Sequence, residues 1–260
     1  MRNSKPLIAL PAALFCVSLL PGCAVGPGPD PWEKTNRAFY NFNDKLDRYA
    51  LKPVSDAYVK VTPQVVRTSF SNALDNLLYF NVILNDFLQG KFGQGLSDSG
   101  RMAANSTAGL GGLFDIATPL NLSSHDNDFG ITLATWGVKP GPYMVLPLMG
   151  PTTARDVPGI GVGIACNPMT WINPPLAANL SVGALTILDG RSRVENEFKF
   201  RNTAAIDPYL FTRDAYMQYR DGLINDGKPK TGPSIYDEDF GPATAPAATA
   251  ATAPATQPGK

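Results

Sequence analysis

Residues 105–156 limit what this chain can fold into more than any other stretch. They read NSTAGLGGLFDIATPLN, then a short polar loop, then DFGITLATWGVKPGPYMVLPLMGPTTARD. Glycine and proline crowd the segment, and in a helix interior they cost about 1 and 3 kcal/mol relative to alanine. No long regular helix fits there. Yet Leu110, Phe114, Ile131, Trp136, Tyr143, Val145, Leu146 and Met149 make it too apolar for an ordinary surface loop. Irregular, small-residue backbone inside an amphipathic frame suits a lining or a gate.

The flanking sequence supplies that frame. Asp30-Pro31-Trp32-Glu33 predicts a helix start, with Asp30 as N-cap, Pro31 at the first position and Glu33 at the third. Trp32, Phe39, Phe42, Leu46 and Tyr49 follow at near-helical spacing as an aromatic stripe, with charged residues between them. Pro53 ends or kinks this helix, and Pro63 does the same to the piece after it. Residues 64–89 form the longest helical run, with Gly90 beyond its end. Its second half, NALDNLLYFNVILNDFLQ, is apolar nearly all round, so it is either buried centrally or set against lipid; periodicity alone favours a core helix, and a membrane anchor shifts the balance toward lipid. Another helix covers 91–106.

Within the central stretch, Asp128 caps a short helix over 131–136 that Gly137 ends. Residues 138–149 read as a hairpin or looped excursion bent at Pro140-Gly141-Pro142. A helix beginning at 152–156 is broken by Pro158-Gly159, and 157–166 resembles a close-packed interfacial piece. Asn173-Pro174-Pro175 starts a helix running to about Phe198. Asp207-Pro208 opens the last helix, with Tyr209, Tyr216 and Tyr219 projecting beside Arg213 and Arg220. From 227 the pattern is lost, and 242–260 is an Ala/Thr/Pro tail unable to bury a core.

The beginning of the chain sets the compartment. Arg2 and Lys5 precede an apolar run over 7–20, and Leu20-Pro21-Gly22-Cys23 follows. This is a secretory leader, too short and too interrupted by Pro11 to span a membrane. Cys23 at the cleavage position resembles a bacterial lipobox, which makes residues 1–22 a signal peptide, Cys23 the acylated first residue and 23–29 a tether. Ala24 after the cysteine implies the outer membrane. Cys166 then stands alone, and a small buried apolar role suits it. Without the leader the chain carries 20 basic against 22 acidic residues, a balance that argues against nucleic acid.

Catalytic patterns fail residue by residue. His125 is the only histidine, so no histidine-cluster metal site exists. GLSDSG at 95–100 misses the nucleophile elbow because Ser99 stands where glycine is required. Gly159, Gly161 and Gly163 lack a dinucleotide fingerprint's last glycine, and the DNDFG of 126–130 has Gly137 where a calcium loop needs glutamate. A hydrolase would need Ser97 or Ser99 within reach of His125, which reads as a solvated loop residue. No enzyme and no cofactor is expected.

Four separated segments carry a resemblance: NRAFYNFN (36–43), NSTAGLGGLFDIA (105–117), FGITLATWGVKPGPYMVLPLMGPTTARD (129–156) and DPYLFTRDAYMQYR (207–220). In this order, with a lipobox upstream, they resemble the MlaA/VacJ family of outer-membrane lipoproteins over about residues 30–226. The resemblance implies an all-α ring of amphipathic helices in the inner leaflet around a central polar channel, with a Gly/Pro-rich hairpin. It implies removal of mislocalised phospholipids from the outer leaflet and their passage to a soluble periplasmic carrier, in association with trimeric porins. A hairpin at about 129–145, including Tyr143, would gate the channel, and Asn41 and Phe42 of the first helix would border the same opening. Gly109, Gly111 and Gly112 would allow a bend at the ring centre, or equally a tight turn in a packed core. Gly137, Pro140, Gly141 and Pro142 would hinge and stiffen the hairpin. Arg155 and Asp156 pair with each other or sit at head-group level, and Arg213 with Tyr209 either positions a phosphate or makes a structural pair. The competing reading is a periplasmic structural lipoprotein that docks on a membrane partner and carries no lipid.

Overall fold

Capping residues and helix breakers set the element order in the computed structural model, which describes residues 30–172 and 176–226. Cys23, the tether, Asn173-Pro174-Pro175 and the C-terminal tail lie outside the described residues. Helix α1 spans Glu33–Leu46, a π-turn spans Asp47–Leu51, and α2 spans Lys52–Val61. The long α3 (Gln64–Leu88) and α4 (Phe92–Thr107) pack as a pair. A short α5 (Phe129–Thr135) precedes the antiparallel strands β1 (Tyr143–Leu146) and β2 (Gly150–Thr153). Then come α6 (Val157–Cys166), α7 (Pro168–Ile172), α8 (Leu176–Arg193), α9 (Glu195–Ala204) and α10 (Pro208–Ile224).

Local punctuation works as expected at three places. The Asp128 carboxylate accepts the Ile131 amide at 3.0 Å to start α5, and Gly137 ends it at φ +89°. The Asp207 carboxylate takes the amides of Tyr209 and Leu210 at 2.9 and 3.2 Å. Gly90 follows α3 at φ +74°.

Elsewhere tertiary structure overrides the local signal. Trp32 holds the N-cap position of α1 but makes no side-chain cap; the buried Asp30 carboxylate accepts the Trp32 amide at 3.3 Å, as a capping residue does, and also accepts from Asn36 at 2.9 Å and from the Tyr209 hydroxyl. Pro53 interrupts the first helix without stopping the chain's helical course: α1 passes into the π-turn just before it, with the Lys52 amide on the Asp47 carbonyl, and Pro53 lies in the first turn of α2. Thr152 and Thr153 belong to β2 rather than to a helix. Pro158 and Gly159 lie in the first turn of α6, where proline costs nothing, so they do not break it. The helix expected to run to Phe198 is divided at Val194. Cys166 is half-buried rather than buried.

Packed neighbours form a closed circuit. From α1 the contacts pass to β1, β2, α10, α5, α3, α8 and α2, and the π-turn returns the chain to α1. The side chains inside invert the usual order. Among the described residues 18 polar or charged side chains are buried against 8 apolar ones, so a conventional oily core does not hold the fold together. The buried groups pair across elements. Arg191 of α8 forks onto Asp47 of the π-turn and reaches Glu195 at 2.8 Å, while Arg201 of α9 binds Asp44 of α1 at 2.8 Å. The aromatic stripe of α1 points outward, with Phe42 and Tyr49 exposed. The apolar half of α3 meets both environments: Leu74, Tyr79 and Ile83 are buried with Asn85 and Asp86, as a core helix requires, whereas Leu78, Phe80, Phe87 and Leu88 are exposed.

Candidate functional site

The hairpin is held to α1 by two asparagines. Asn36 and Asn43 stand seven residues apart, so they share one helix face. The buried Asn36 donates to the Tyr143 carbonyl at 3.0 Å and accepts the Val145 amide at 2.9 Å. Asn43 donates to the Leu146 carbonyl at 2.9 Å and accepts the Leu148 amide at 2.8 Å. Each carboxamide thus acts as a peptide group and satisfies the free edge of β1, which would otherwise expose unpaired backbone.

The bend lies elsewhere than the sequence reading places it. Tyr143 pairs with Thr153 and Leu146 with Gly150, so the hairpin turns at Pro147, Leu148 and Met149. Pro140-Gly141-Pro142 forms its base: the Pro142 and Pro140 carbonyls accept the amides of Ala154 and Arg155 at 3.1 and 3.0 Å. Gly141 is required there, at φ +65°, with an added Cβ only 3.0 Å from Ala154.

Behind β1 lies a small apolar cluster, Tyr143, Val145 and Tyr209, flanked by Tyr40 and Tyr216. The Tyr143 ring centroid is 6.3 Å from Tyr209 and 6.2 Å from Tyr216. Burial, reinforced by the Asp30 carboxylate, pushes the Tyr143 hydroxyl well above the usual phenol range, so it stays a neutral donor. Arg37 stacks 4.4 Å from the Tyr209 ring and forks onto Asp207, tying α1 to α10.

Beyond β2 the buried Asp156 carboxylate gathers three donors. Arg155 reaches it at 3.0 Å, Arg220 at 3.1 Å and the Tyr216 hydroxyl at 2.9 Å. Arg220 also pairs with Asp128. Burial opposes ionisation of Asp128, but the Arg220 guanidinium overcomes this and holds its carboxyl below the usual range. A cleft of 430 Å³ opens here. Leu146, Met149 and Pro151 of the hairpin and Ile160 of α6 give it apolar sides, and Asp128, Asp156, Tyr216 and Arg220 give it a charged side. It can hold an amphiphile, with chains against the hairpin and a head group near the guanidinium groups.

Two further cavities lie against α3 and α4, the smaller of them mainly polar. One of 220 Å³ is lined by Asn72, Asn76, Tyr79, Arg101, Asn105 and Asp115. The glycine turn borders it through two of these. Asn105 accepts the amides of Ile116 and Ala117, and Gly112 at φ +91° has no room for a Cβ beside Asn76. The other, of 470 Å³, is lined by Asp86, Lys91, Gln94, His125, Asn127 and Asp226 among others. Burial, with the Asp98 carboxyl adding to it, pushes Asp86 up to about 6. Burial opposes ionisation of Asp98, yet bonds from Gln94, Asp86, Tyr79 and His125 hold its carboxyl below the usual range.

Of the residues singled out from sequence, Tyr143, Pro140, Gly141 and Pro142 lie in the hairpin or its base, and Gly137 lies just before it. Gly109, Gly111 and Gly112 close onto α3 and α4, whereas the hairpin closes onto α1 and α10. Asn41 and Phe42 are exposed on α1. The residues of that segment that bond the hairpin are Asn36 and Asn43, the two ends of NRAFYNFN, and their seven-residue spacing is the signal that could have found them. His125 is exposed, with Nδ1 3.2 Å from Asp98 and 2.6 Å from Gln94, while the Ser99 hydroxyl donates to the Gly95 carbonyl at 2.6 Å. Arg155 and Asp156 do pair, in a buried rather than a solvated setting.

Known proteins resemble the chain over most of its length. The profile of the family described as MlaA lipoprotein matches residues 28–222. An Escherichia coli (strain K12) protein called intermembrane phospholipid transport system lipoprotein MlaA is 34% identical over 241 residues, covering 87% of this chain and 94% of its own. A Haemophilus influenzae protein of the same name is 31% identical over 228 residues, covering 83% and 90%. A solved structure described as "Structural basis for maintenance of bacterial outer membrane lipid asymmetry" superposes with a TM-score of 0.63 at 30% identity, covering 75% of this chain and 99% of that one.

Proposed function

The chain belongs to the MlaA lipoprotein family, and from that premise we propose that it removes mislocalised phospholipids from the outer leaflet of a Gram-negative outer membrane. It passes them through a polar passage to a periplasmic carrier and so maintains lipid asymmetry. The observation that carries this reading is the inverted burial. Charged and amide side chains fill the inside of the helix circuit while large apolar side chains face out. That is the distribution of a protein whose outer solvent is lipid and whose interior tolerates a head group. No helix among the described residues is long and apolar enough to cross a membrane, which suits a ring lying in one leaflet.

In this reading Cys23 carries the lipid anchor on the periplasmic side, and the helical domain of about residues 30–226 does the work. The hairpin is the gate, moving on Gly137, Pro140, Gly141 and Pro142. Asn41 and Phe42 face the lipid at its border, and the Gly109, Gly111 and Gly112 turn shapes the neighbouring polar cavity. A trimeric porin covers part of the apolar outside. The protein moves lipid without a chemical step of its own.

A deletion strain complemented with the parent gene tests the transport reading through outer-leaflet phospholipid content. Deletion raises it and the parent restores it; an unchanged content on deletion would leave an anchored scaffold as the better account. Cys23→Ala moves the protein from the membrane to the soluble fraction, and continued membrane association would remove the anchor assignment.

A further inference from the structure

Three buried residues in or just beyond the hairpin, Tyr143, Thr153 and Arg155, carry donor groups with no hydrogen-bond partner among the described residues. Tyr143 and Thr153 are cross-strand partners, so their side chains share one face of the sheet, and each hydroxyl is buried and unpaired. Arg155 lies two residues beyond Thr153. Its side chain is 0% exposed, its Nε donates to Asp156, and both terminal nitrogens are unpaired. A chain of contacts joins them: the Tyr143 ring meets Tyr216, the Tyr216 hydroxyl donates to Asp156, and Asp156 accepts from Arg155. Buried polar groups are nearly always satisfied, and an unsatisfied charged group is the costliest exception.

The chemistry of the set is uniform. All of these groups can donate, and Arg155 presents two adjacent N–H groups of a planar fork that suits two oxygens of one phosphate. Two carboxylates adjoin the set, and both are already engaged: Asp156 is shared by Arg155 and Arg220, and Asp30, near the Tyr143 hydroxyl, accepts from Asn36 and Tyr209. The 430 Å³ cleft reaches Asp156 and Tyr216 from the hairpin's other flank and offers apolar surface beside them. We propose that the inward face of the hairpin is a phosphate-oxyanion site, formed by Arg155, Thr153 and Tyr143, which takes the phosphodiester of a phospholipid when the hairpin lifts. The unpaired donors raise the energy of the closed hairpin, and the head group relieves that strain in the open one. The inference rests on the transport reading and adds to it the part of the lipid that is recognised and the groups that do so.

The test uses the full-length lipoprotein purified in detergent, with Thr153→Val and Tyr143→Phe as near-isosteric variants. Three probes are compared: phosphatidylglycerol, a diacylglycerol with the same chains, and inorganic phosphate. Bound lipid is counted by native mass spectrometry, and Tm is read on the lipid-free protein. The parent retains phosphatidylglycerol over diacylglycerol, and each variant retains roughly tenfold less phosphatidylglycerol, the effect of one hydrogen bond to a charged group. The lipid-free Tm of each variant stays level or rises, because an unpaired buried hydroxyl has been removed. Equal retention of phosphatidylglycerol by parent and variants would overturn the site, as would a loss of retention that tracks a fall in Tm. Stabilisation by inorganic phosphate with no preference between the two lipids would overturn the lipid assignment. A parent that retains neither lipid, with asymmetry intact in the deletion strain, would count against transport itself, whereas a lipid-loaded parent with equally loaded variants counts only against this site.

Discussion

Replacing Asn43 by alanine should loosen the tip of the hairpin and leave its base in place. Asn43 makes two bonds to the turn, one half-buried to the Leu146 carbonyl and one exposed to the Leu148 amide. A neutral hydrogen bond contributes about 0.5–1.5 kcal/mol, and the exposed one belongs at the low end because water replaces it. Their joint loss is about 1–2 kcal/mol, which speeds local opening roughly 5- to 30-fold. Amide hydrogen exchange on the full-length protein reads this directly, because Leu148 reports on Asn43 while Val145 reports on the buried Asn36. Leu148 should lose protection by that factor, with Val145 changing much less. Asn43→Asp keeps an acceptor for the Leu148 amide but opposes the Leu146 carbonyl, so it should fall between parent and alanine. Unchanged exchange at Leu148 would refute the clamp. Equal acceleration at both amides together with a lower Tm would show a global fold effect and refute the local argument.

Two further outcomes follow from the glycine turn and the acidic cavity. Gly112→Ala should lower Tm markedly, since φ is +91° and the new Cβ would sit 2.6 Å from that of Asn76. Gly111→Ala, at φ +73° with open space around it, should cost only about 1 kcal/mol of backbone strain; equal effects of the two in thermal unfolding would refute the close-approach argument. Asp86 has its folded pKa raised to about 6, so its stabilising contribution is complete below the unfolded value of 3.8 and is lost as pH rises through about 6. Asp86→Asn should therefore flatten the fall in Tm between about pH 4 and about pH 6 and leave the variant more stable at the upper end. A parallel pH profile for parent and variant would remove Asp86 as the source.

Much of the element order was legible because it depends on a few neighbouring residues. Asp128, Asp207, Gly90 and Gly137 start or stop helices through bonds that span three or four positions, and the four family segments marked the parts that matter. The hairpin's true tip was not legible: Pro140-Gly141-Pro142 carries the stronger turn signature, but cross-strand pairing put the turn at Pro147–Met149. Pro53 reads as an end or a kink because its missing donor is local, whereas the π-turn that forms the interruption is held from outside by the Asp47–Arg191 pair. Asn36 and Asn43 were visible as letters, yet nothing in α1 alone says that a strand edge lies opposite them.

The sequence by itself determined that α1 would have an apolar and a polar side, because that follows from a period of 3.6 residues, and that the second half of α3 would be apolar nearly all round. Which side faces in was decided only by the tertiary structure. A water-soluble fold would bury Phe42, Phe80 and Leu88 and expose Asp47 and Asp86; here the reverse holds. Periodicity fixes the angle between the two faces but not the solvent each meets. Asp47, Asn36 and Asp86 stay inside only because Arg191, Tyr143 and Asn127, on distant parts of the chain, arrive to pair with them.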